Sequence, residues 1–299
     1  MKNKLLHLSL ALSVCANFGY GKLIPINEVF EPEGAFDPSL YAKVAVLQWA
    51  PSEPAPIGVN PEEAETFKQK NREVLAKFID EAVQKGAKLI VTPEFSVVGY
   101  PDIPGLPPEE DQFQSREQVK PYVEPVNGPS TKFFGELAKK NGVYIHFGIA
   151  EMDVASDLYY NTVVVVGPEG RILARYRKIH LYQSETKFLE NGDEIVTYHS
   201  MLGEIGLAIC SDVYSPFPMD AYRKLGISVL ALSSSWAQWN TGMDYYKEGA
   251  KWVSAYVLAS NHSYFPDAGV VNPDGTTQSH IRQSKGLAYG YLPYRRFAR

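Results

Sequence analysis

Three residues whose side chains could together break an amide bond each stand at the end of a segment with the pattern of a strand. Glu94 comes after KLIVTP, Lys178 closes a hairpin-like segment, and Cys210 comes directly after the apolar residues 205–209. An apolar run that stops abruptly at polar residues predicts a buried strand that ends in a turn. We therefore expect each of the three side chains at a strand end.

These residue types fit one mechanism of acyl transfer. The Cys210 thiol can attack an amide or nitrile carbon, and Glu94 can take the thiol proton and later pass a proton to the departing amine. The Lys178 ammonium can compensate for negative charge that develops on oxygen, together with the backbone N–H of Ser211. We also expect the same positive charge to favour the thiolate of Cys210. The alternatives are a packed cysteine, a solvated carboxylate and a surface lysine.

The elements that must position these residues alternate between strands and helices, which predicts an α/β fold. Asn60 followed by Pro61 indicates the start of a long amphipathic helix that ends at Gly86, and Ser130 is expected to cap a second helix through Asn141. Two further helices are expected around residues 219–225 and 245–256. Strands or hairpins are expected at residues 43–48, 88–95, 143–150, 161–178, 205–209, 228–233 and 257–261, with a turn between strands at 270–275.

The first residues have the composition of an export signal. Residues 1–21 contain two lysines, then the apolar run 5–14, then small residues. This order predicts a secretory signal peptide, with cleavage after Ala16 or after Gly21, and hence a periplasmic or secreted protein. The apolar run is shorter than the ~20 residues that a membrane span needs. Residues 22–42 are predicted to be a linker or N-terminal arm that precedes a domain over residues 43–299.

Export has a consequence for the two cysteines of the chain. Removal of residues 1–21 also removes Cys15, so that Cys210 is the single cysteine of the mature protein and cannot form an internal disulfide. A lone thiol in an oxidising compartment is a liability unless it reacts. This observation favours a reactive Cys210 over a merely packed one.

Charge and histidine placement exclude other classes of function. A net charge of −5, with no basic cluster interleaved with aromatic residues, argues against nucleic acid as a partner. The histidines form no pair at metal-ligand spacing, so we expect each of them to be a packed or surface residue rather than a metal ligand. His180 stands out only because it lies two residues after Lys178.

Three short motifs surround the three residues in chain order. They are Pro93-Glu94 with Gly99-Tyr100-Pro101, then Tyr176, Lys178 and Leu181, then Gly206, Cys210 and Asp212. These motifs resemble those of the nitrilase (carbon–nitrogen hydrolase) superfamily, over residues 43–290. The resemblance implies catalytic roles for Glu94, Lys178 and Cys210, and a positioning role for Glu185, to which Glu190 and Glu194 are nearby alternatives. It also implies a four-layer α-β-β-α sandwich, a homodimer and no cofactor.

Within the superfamily the sequence is most similar to the vanin and biotinidase branch of exported amidases. The leading hypothesis is therefore an amidohydrolase that cleaves a small-molecule linear amide through a thioester, with pantetheine as the preferred substrate. Nitrile or other aliphatic amide hydrolysis, carbamoylase activity, acyl transfer and an inactive binding module are the alternatives. Ser211 stands where the branch has an aromatic residue, and the end of the chain at Arg299 leads us to expect a catalytic domain alone. Trp236 is expected to line the substrate pocket rather than the core.

Overall fold

Two six-stranded β-sheets face each other in this protein. The structure is a computed structural model, and it describes residues 36–106, 111–236, 242–264, 267–282 and 285–295. The first sheet has the order β12-β1-β2-β3-β4-β5 and comprises β1 (Tyr41–Gln48), β2 (Ala87–Val91), β3 (Tyr144–Met152), β4 (Tyr159–Val166), β5 (Ile172–Arg177) and β12 (Gly286–Pro293). The second has the order β11-β10-β9-β8-β7-β6 and comprises β6 (Thr197–Ser200), β7 (Gly203–Ile209), β8 (Val229–Ser233), β9 (Tyr256–Ser260), β10 (Ala268–Val271) and β11 (Thr277–Ile281).

Helices cover the outer faces of both sheets. They are α1 (Pro61–Gln84), α2 (Arg116–Val119), α3 (Pro129–Asn141), α4 (Pro216–Leu225) and α5 (Gly242–Val253). Short 3₁₀ turns lie at Lys120–Tyr122, Glu185–Lys187 and Cys210–Tyr214.

Among the described residues, three of the four clusters of buried apolar side chains form successive layers of core. Val44 and Leu207 pack between the two sheets. Phe134 belongs to the layer between the first sheet and helices α1 and α3, and Tyr246 to the layer between the second sheet and helices α4 and α5. This order of helix, sheet, sheet and helix confirms the predicted α/β fold and its four-layer α-β-β-α sandwich.

Local sequence signals explain where α1 begins and ends. The Asn60 side chain accepts hydrogen bonds from the backbone of Glu62 and Glu63, and the Glu63 carboxylate accepts one from the Asn60 N–H, which completes a capping box. The helix ends before Gly86, whose φ of +89° suits a residue without a Cβ. The predicted start and end of this helix are confirmed.

Two details of the sequence prediction are wrong. Ser130 does not cap α3, because the N-cap is Gly128, and the Ser130 hydroxyl instead accepts a 3.1 Å hydrogen bond from Arg72. The helix expected around residues 245–256 begins earlier and ends at Val253, since Tyr256 already belongs to β9. In both cases a contact with another part of the fold overrides the local sequence signal: Ser130 binds Arg72, and Tyr256 joins a strand.

The carboxyl ends of several parallel strands meet at one end of the two sheets. β1 pairs with β2 in parallel, and β7 pairs with β8 and β8 with β9 in the same way. Hydroxyl groups join the sheets there: Ser233 and Ser260 both donate to the Thr92 carbonyl, at 2.8 and 2.7 Å. Loops that follow these strands therefore lie side by side.

The two N-terminal segments are only partly described. The predicted signal peptide, residues 1–21, with both cleavage positions, lies outside the described residues, as do residues 22–35 of the predicted arm. The last two residues of that arm, Tyr41 and Ala42, already belong to β1. Within the described ranges, no helix combines the length and the apolar character needed to cross a membrane.

Candidate active site

Cys210 occupies a sharp turn at the carboxyl end of β7. Its φ is +46°, in the left-handed region that few residues other than glycine adopt, and a 3₁₀ turn follows at once. Its side chain is a free thiol and is partly exposed. A strained turn of this kind aims a nucleophile away from the sheet, as predicted from the abrupt end of the apolar run.

Asp212 holds this turn in place. Its buried carboxylate accepts hydrogen bonds from the Ile209 N–H at 3.0 Å, the Tyr176 hydroxyl at 2.7 Å and the His180 N–H at 2.8 Å. Burial raises the pKa of Asp212 to about 6, while the hydrogen bond from Tyr176 lowers it, so the carboxylate is charged at neutral pH. The same side chain thus connects the cysteine turn to the segment around Lys178.

Lys178 lies between two glutamates. Its Nζ is 2.7 Å from Glu94 Oε1 and 2.6 Å from Glu185 Oε2, and all three side chains are at most 1% exposed. Burial disfavours the ammonium, but Glu185 and Glu94 hold the pKa of Lys178 well above its ordinary value. The structure therefore brings three of the predicted residues into direct contact, with Lys178 charged.

Glu185 takes the place of the second glutamate. It is fully buried, and its Oε2 also accepts a 2.7 Å hydrogen bond from the Tyr182 N–H. The two sequence alternatives, Glu190 and Glu194, are both exposed at the surface. Burial beside Glu94 raises the pKa of Glu185, and Lys178 opposes this effect.

The side chain and the backbone of Glu94 are each held by a residue that follows a strand of the second sheet. Its Oε2 accepts a 2.8 Å hydrogen bond from the Ser235 N–H, which follows β8. Its carbonyl accepts a 2.5 Å hydrogen bond from the Nε2 of His262, which follows β9. Burial lowers the pKa of His262 to about 4, so this histidine is a neutral donor. Sequence reasoning did not find His262, because nothing in its local sequence links it to Glu94.

Asn161 is a further member of the site that the sequence analysis missed. Its Nδ2 donates to Glu94 Oε1 at 2.6 Å and to Glu185 Oε1 at 2.8 Å, and its carbonyl accepts from the Lys178 N–H at 2.8 Å. The sequence signal that could have indicated Asn161 is a polar amide near the start of the valine-rich strand β4. Its partners become visible only once β4 pairs with β5 and β3.

The Cys210 thiol is protonated in this arrangement. Burial raises the pKa of Cys210, Glu94 raises it further, and Lys178 lowers it without reversing the result. As expected, the Lys178 charge by itself lowers the pKa of Cys210 and favours the thiolate. Burial and Glu94 together have the larger effect, so the pKa of Cys210 is raised overall. The thiol therefore needs a base at the moment of attack, and the Glu94 carboxylate is the nearby group of that type.

Ser211 and Trp236, the two residues expected to contact substrate, lie beside this cluster. The Ser211 hydroxyl donates to the His180 carbonyl, so that its side chain supports the turn. Trp236 is 6% exposed and packs in the outer core of the second sheet, with its ring centroid 5.9 Å from Tyr214 and 4.7 Å from Tyr245. The Trp236 side chain is thus more deeply buried than we expect for a residue that only lines an open pocket.

Tyr214 connects this aromatic group to the reacting residues. Burial raises the pKa of Tyr214, Cys210 raises it further and Lys178 lowers it. The electrostatic effects of both Cys210 and Lys178 therefore extend to the Tyr214 hydroxyl. The exposed ring of His180 lies against Tyr214 at 5.6 Å, edge to face. His180 therefore serves the site through its backbone and this ring contact.

Comparison with known proteins identifies the family. The profile of the family described as carbon-nitrogen hydrolase matches residues 43–291. The chain belongs to this family. Its predicted membership of the nitrilase superfamily is confirmed. No group of three or more His, Cys, Asp and Glu residues in the described part of the chain is arranged to hold a metal ion.

Curated relatives come from several branches of the superfamily. A nitrilase of Pyrococcus abyssi is 35% identical over 58% of this chain and 62% of its own length. A pantetheinase of Sus scrofa is 27% identical over 82% of this chain and 52% of its own length. The human omega-amidase NIT2 is 30% identical over 55% of this chain and 58% of its own length. The chain thus spans about half to three-fifths of the length of these relatives.

Solved structures of the family share the fold. Saccharomyces cerevisiae Nit3 superposes with a TM-score of 0.69 at 23% identity, over 85% of this chain and 90% of that chain. An amidase from a Nesterenkonia species superposes with a TM-score of 0.68 at 20% identity, over 87% and 93%. In another structure of that amidase, the acetamide moiety of fluoroacetamide is covalently added at the active-site cysteine.

Proposed function

We propose that this protein is an amidase that hydrolyses a non-peptide linear amide through a thioester on Cys210, and that pantetheine is its substrate. One observation carries the chemistry. A partly exposed thiol in a strained turn neighbours a buried cluster in which Lys178 contacts Glu94 and Glu185 at 2.7 and 2.6 Å. The cluster contains a nucleophile, a base and a fixed positive charge, which is the set that acyl transfer requires.

Acylation follows from the positions of these groups. Glu94 takes the thiol proton as the Cys210 sulfur forms a bond to the amide carbon. The amide oxygen becomes an oxyanion, which the third Nζ proton of Lys178 can reach because the other two protons go to the glutamates. We assign the second oxyanion donor to the Ser211 N–H. Protonated Glu94 then gives its proton to the amine nitrogen, the carbon–nitrogen bond breaks, and a thioester remains.

Deacylation reverses the roles of the same residues. Glu94 takes a proton from water, and the water oxygen bonds to the thioester carbon. Lys178 again stabilises the oxyanion. The carbon–sulfur bond breaks, the sulfur recovers a proton from Glu94, and a carboxylic acid leaves the site. For pantetheine the products are cysteamine from the first stage and pantothenate from the second.

The extent of the sequence similarity supports pantetheine over the other amides. The pantetheinases match 75 to 83% of this chain, whereas the nitrilase and omega-amidase relatives above match less than three-fifths of it. The export signal predicted over residues 1–21 agrees with the exported branch. The aromatic group of Tyr214, Trp236 and Tyr245 beside Cys210 gives the site an apolar side that suits a neutral acyl chain.

Export and assembly are part of the same proposal. We propose that the mature protein is periplasmic or secreted and that it forms a homodimer, as the resemblance to the superfamily implies. Mass measurement of the protein recovered from outside the cytoplasm would show cleavage near Ala16 or Gly21. An intact cytoplasmic chain would contradict export. Light scattering at micromolar concentration would show a mass of two chains, and a single-chain mass would contradict the dimer.

Product analysis tests the substrate. The purified protein is incubated with pantetheine, and separately with biotinyl, carbamoyl and aliphatic amides and a nitrile, and products are identified by mass spectrometry. We expect pantothenate from the wild type and none from Cys210→Ala, which should fold normally because it loses a single partly exposed sulfur. Cleavage of a different amide would retain the mechanism and reject the substrate. Activity in Cys210→Ala would reject Cys210 as the nucleophile.

A further inference from the structure

The site contains more negative charge than its single lysine can balance. Glu94 and Glu185 are both buried, and both contact the same Lys178 ammonium. Two carboxylates that share a dry site repel each other, and one of them normally takes up a proton. Here Glu94 indeed raises the pKa of Glu185, and burial raises it most. The pair therefore depends on hydrogen-bond donors around it, and the backbone N–H groups of Ser235 and Tyr182 supply one to each Oε2 atom.

The Asn161 amide supplies such a donor to the Oε1 atom of each glutamate. Its Nδ2 carries two protons, and each goes to a different glutamate: to Glu94 Oε1 at 2.6 Å and to Glu185 Oε1 at 2.8 Å. An ionised carboxylate only accepts hydrogen bonds, so the nitrogen rather than the oxygen of the amide must face the two glutamates. The two carboxylates are therefore bridged on one side by Lys178 and on the other by Asn161.

The oxygen of the Asn161 amide shows that a contribution to stability alone does not explain this side chain. Its Oδ1 is buried and has no hydrogen-bond partner in the described part of the chain. A buried acceptor without a partner destabilises a fold by about 1–3 kcal/mol, so an asparagine retained for stability would satisfy its oxygen. The side chain is instead satisfied only through the nitrogen that faces the glutamates.

We propose that Asn161 is a positioning residue that holds Glu94 and Glu185 as a separated pair of carboxylates around Lys178. This inference rests on the proposed amidase function. Because Asn161 is neutral, it stabilises both anions without adding a positive charge that would compete with Lys178. With Asn161 bound to Glu94 Oε1, the Oε2 atom of Glu94 remains on the side where the Ser235 N–H binds, available to take the thiol proton.

The charged and titratable groups around this pair come from several elements. Cys210 lies at the end of β7, Tyr100 in the loop after β2 and Tyr246 on α5, and the charge of Glu94 raises the pKa of each, after burial. Lys178 and His262 complete the set. Only Lys178 among them is a cation. The backbone N–H groups of Ser235 and Tyr182 bind the Oε2 atoms of the pair, so loss of Asn161 removes the amide donor of both Oε1 atoms.

The test uses two variants of similar shape. Asn161→Asp keeps the size of the side chain but replaces the donor by a third carboxylate, and Asn161→Leu removes the donor without adding charge. In both, we expect a proton to bind to the glutamate pair at higher pH than in the wild type. The acid limb of the kcat/KM profile should then move up by about one pH unit or more, kcat should fall by about 10²-fold, and KM should change little.

A second readout does not depend on the identity of the substrate. The rate of Cys210 alkylation by iodoacetamide, followed by intact-protein mass spectrometry, also depends on a base that takes the thiol proton. Its pH midpoint should move upward in both variants even if no amide in the panel is hydrolysed. If the amidase proposal is wrong, no amide is hydrolysed but the pH midpoint of alkylation still moves in the variants. If the Asn161 proposal is wrong, the pH midpoint of alkylation stays unchanged.

Thr162→Val is the matched control. Thr162 is the next residue of β4 and is equally buried, and its hydroxyl donates to Glu151 on the opposite face of the sheet at 2.7 Å. The change removes one buried hydrogen bond and leaves the glutamate pair intact, so both pH midpoints should stay at their wild-type values. A folded Asn161→Asp or Asn161→Leu protein that behaves like Thr162→Val would overturn the proposal. If Asn161→Leu does not fold, the Asp variant alone decides.

Discussion

The three protons of the Lys178 ammonium define the site at the scale of single residues. One binds Glu94, one binds Glu185, and in the mechanism that we propose the third binds the oxygen of the substrate. A lysine has no acceptor and no preferred plane, so the positions of its two glutamates decide where the third proton points. The proposed role of the lysine therefore depends on both carboxylates.

Lys178→Met tests this role, because methionine retains the length of the side chain without its charge. We expect kcat to fall by about 10²-fold or more with little change in KM, since the oxyanion forms only during the reaction. Steady-state kinetics on the cleaved amide gives both constants. Lys187→Met is the control, since Lys187 follows in the same segment but donates to Gln114 at the surface. A change confined to KM would reject the oxyanion role.

The turn after β7 is the element that positions Cys210. Asp212 ties this turn to the end of β5 through the Tyr176 hydroxyl and to the following residues through the His180 N–H. Two backbone donors and one hydroxyl thus converge on a single carboxylate. This carboxylate connects the turn that carries Cys210 to the segment that carries Lys178.

Asp212→Asn should loosen that connection. The new amide nitrogen must face at least one of the N–H donors of Ile209 and His180, so one hydrogen bond becomes a repulsive contact. We expect kcat/KM to fall by about 10²-fold, as for other small displacements of catalytic groups. Asp220→Asn is the control, because Asp220 accepts from Trp252 at the edge of the protein, away from the site. Equal activity of the two variants would show that the turn holds its shape without Asp212.

Single elements also show how far the sequence could predict the site. Glu94, Lys178 and Cys210 were found because each stands at the end of a predicted strand, a pattern that is local in the chain. Asn161 and His262 were missed because their contacts cross between strands that only the fold brings together. The expected effect of Lys178 on the Cys210 thiol has the right direction, but the larger effect of burial was not foreseen, since no sequence pattern measures burial at a turn.

The same reasoning explains Gly148, which no sequence pattern singled out. A Cβ on Gly148 would lie 2.5 Å from the Phe95 backbone nitrogen, so β3 can approach the segment after Glu94 only with a glycine. Phe95 itself has a φ of +50°. Close packing between β3 and this segment therefore accompanies a strained backbone at Phe95, next to Glu94. The backbone of Cys210 is strained in the same left-handed region.

At the scale of the whole molecule, a polar contact crosses the core between the two sheets. His146 on β3 is fully buried, and its Nε2 is hydrogen-bonded to the Tyr198 hydroxyl of β6 at 2.7 Å. Burial lowers the pKa of His146 to about 3, so the imidazole is neutral in the folded protein. The unfolded chain binds a proton at this residue below its ordinary pKa of 6.5, and the folded protein does not.

This difference predicts acid sensitivity with a defined sign. Stability should be unaffected by His146 above pH 6.5 and should decrease as the pH falls toward 3, by about 2 kcal/mol from this residue at pH 5. Urea denaturation of wild type and His146→Phe at pH 5 and pH 7 measures the effect, because the lost bond to Tyr198 is independent of pH. His199→Gln, at a site 53% exposed, should retain the wild-type dependence. An unchanged dependence in His146→Phe would assign the loss to other groups.

The protonated state of Cys210 has a consequence for survival of the protein among oxidants. Peroxide reacts with thiolates, so a cysteine held as a thiol is oxidised slowly to the sulfenic acid. In the mechanism that we propose, Cys210 is activated only when Glu94 takes its proton during attack, so the thiol is protected while the site is idle. In the exported amidase that we propose, the raised pKa of Cys210 would let this free thiol persist among oxidants and still react with the substrate.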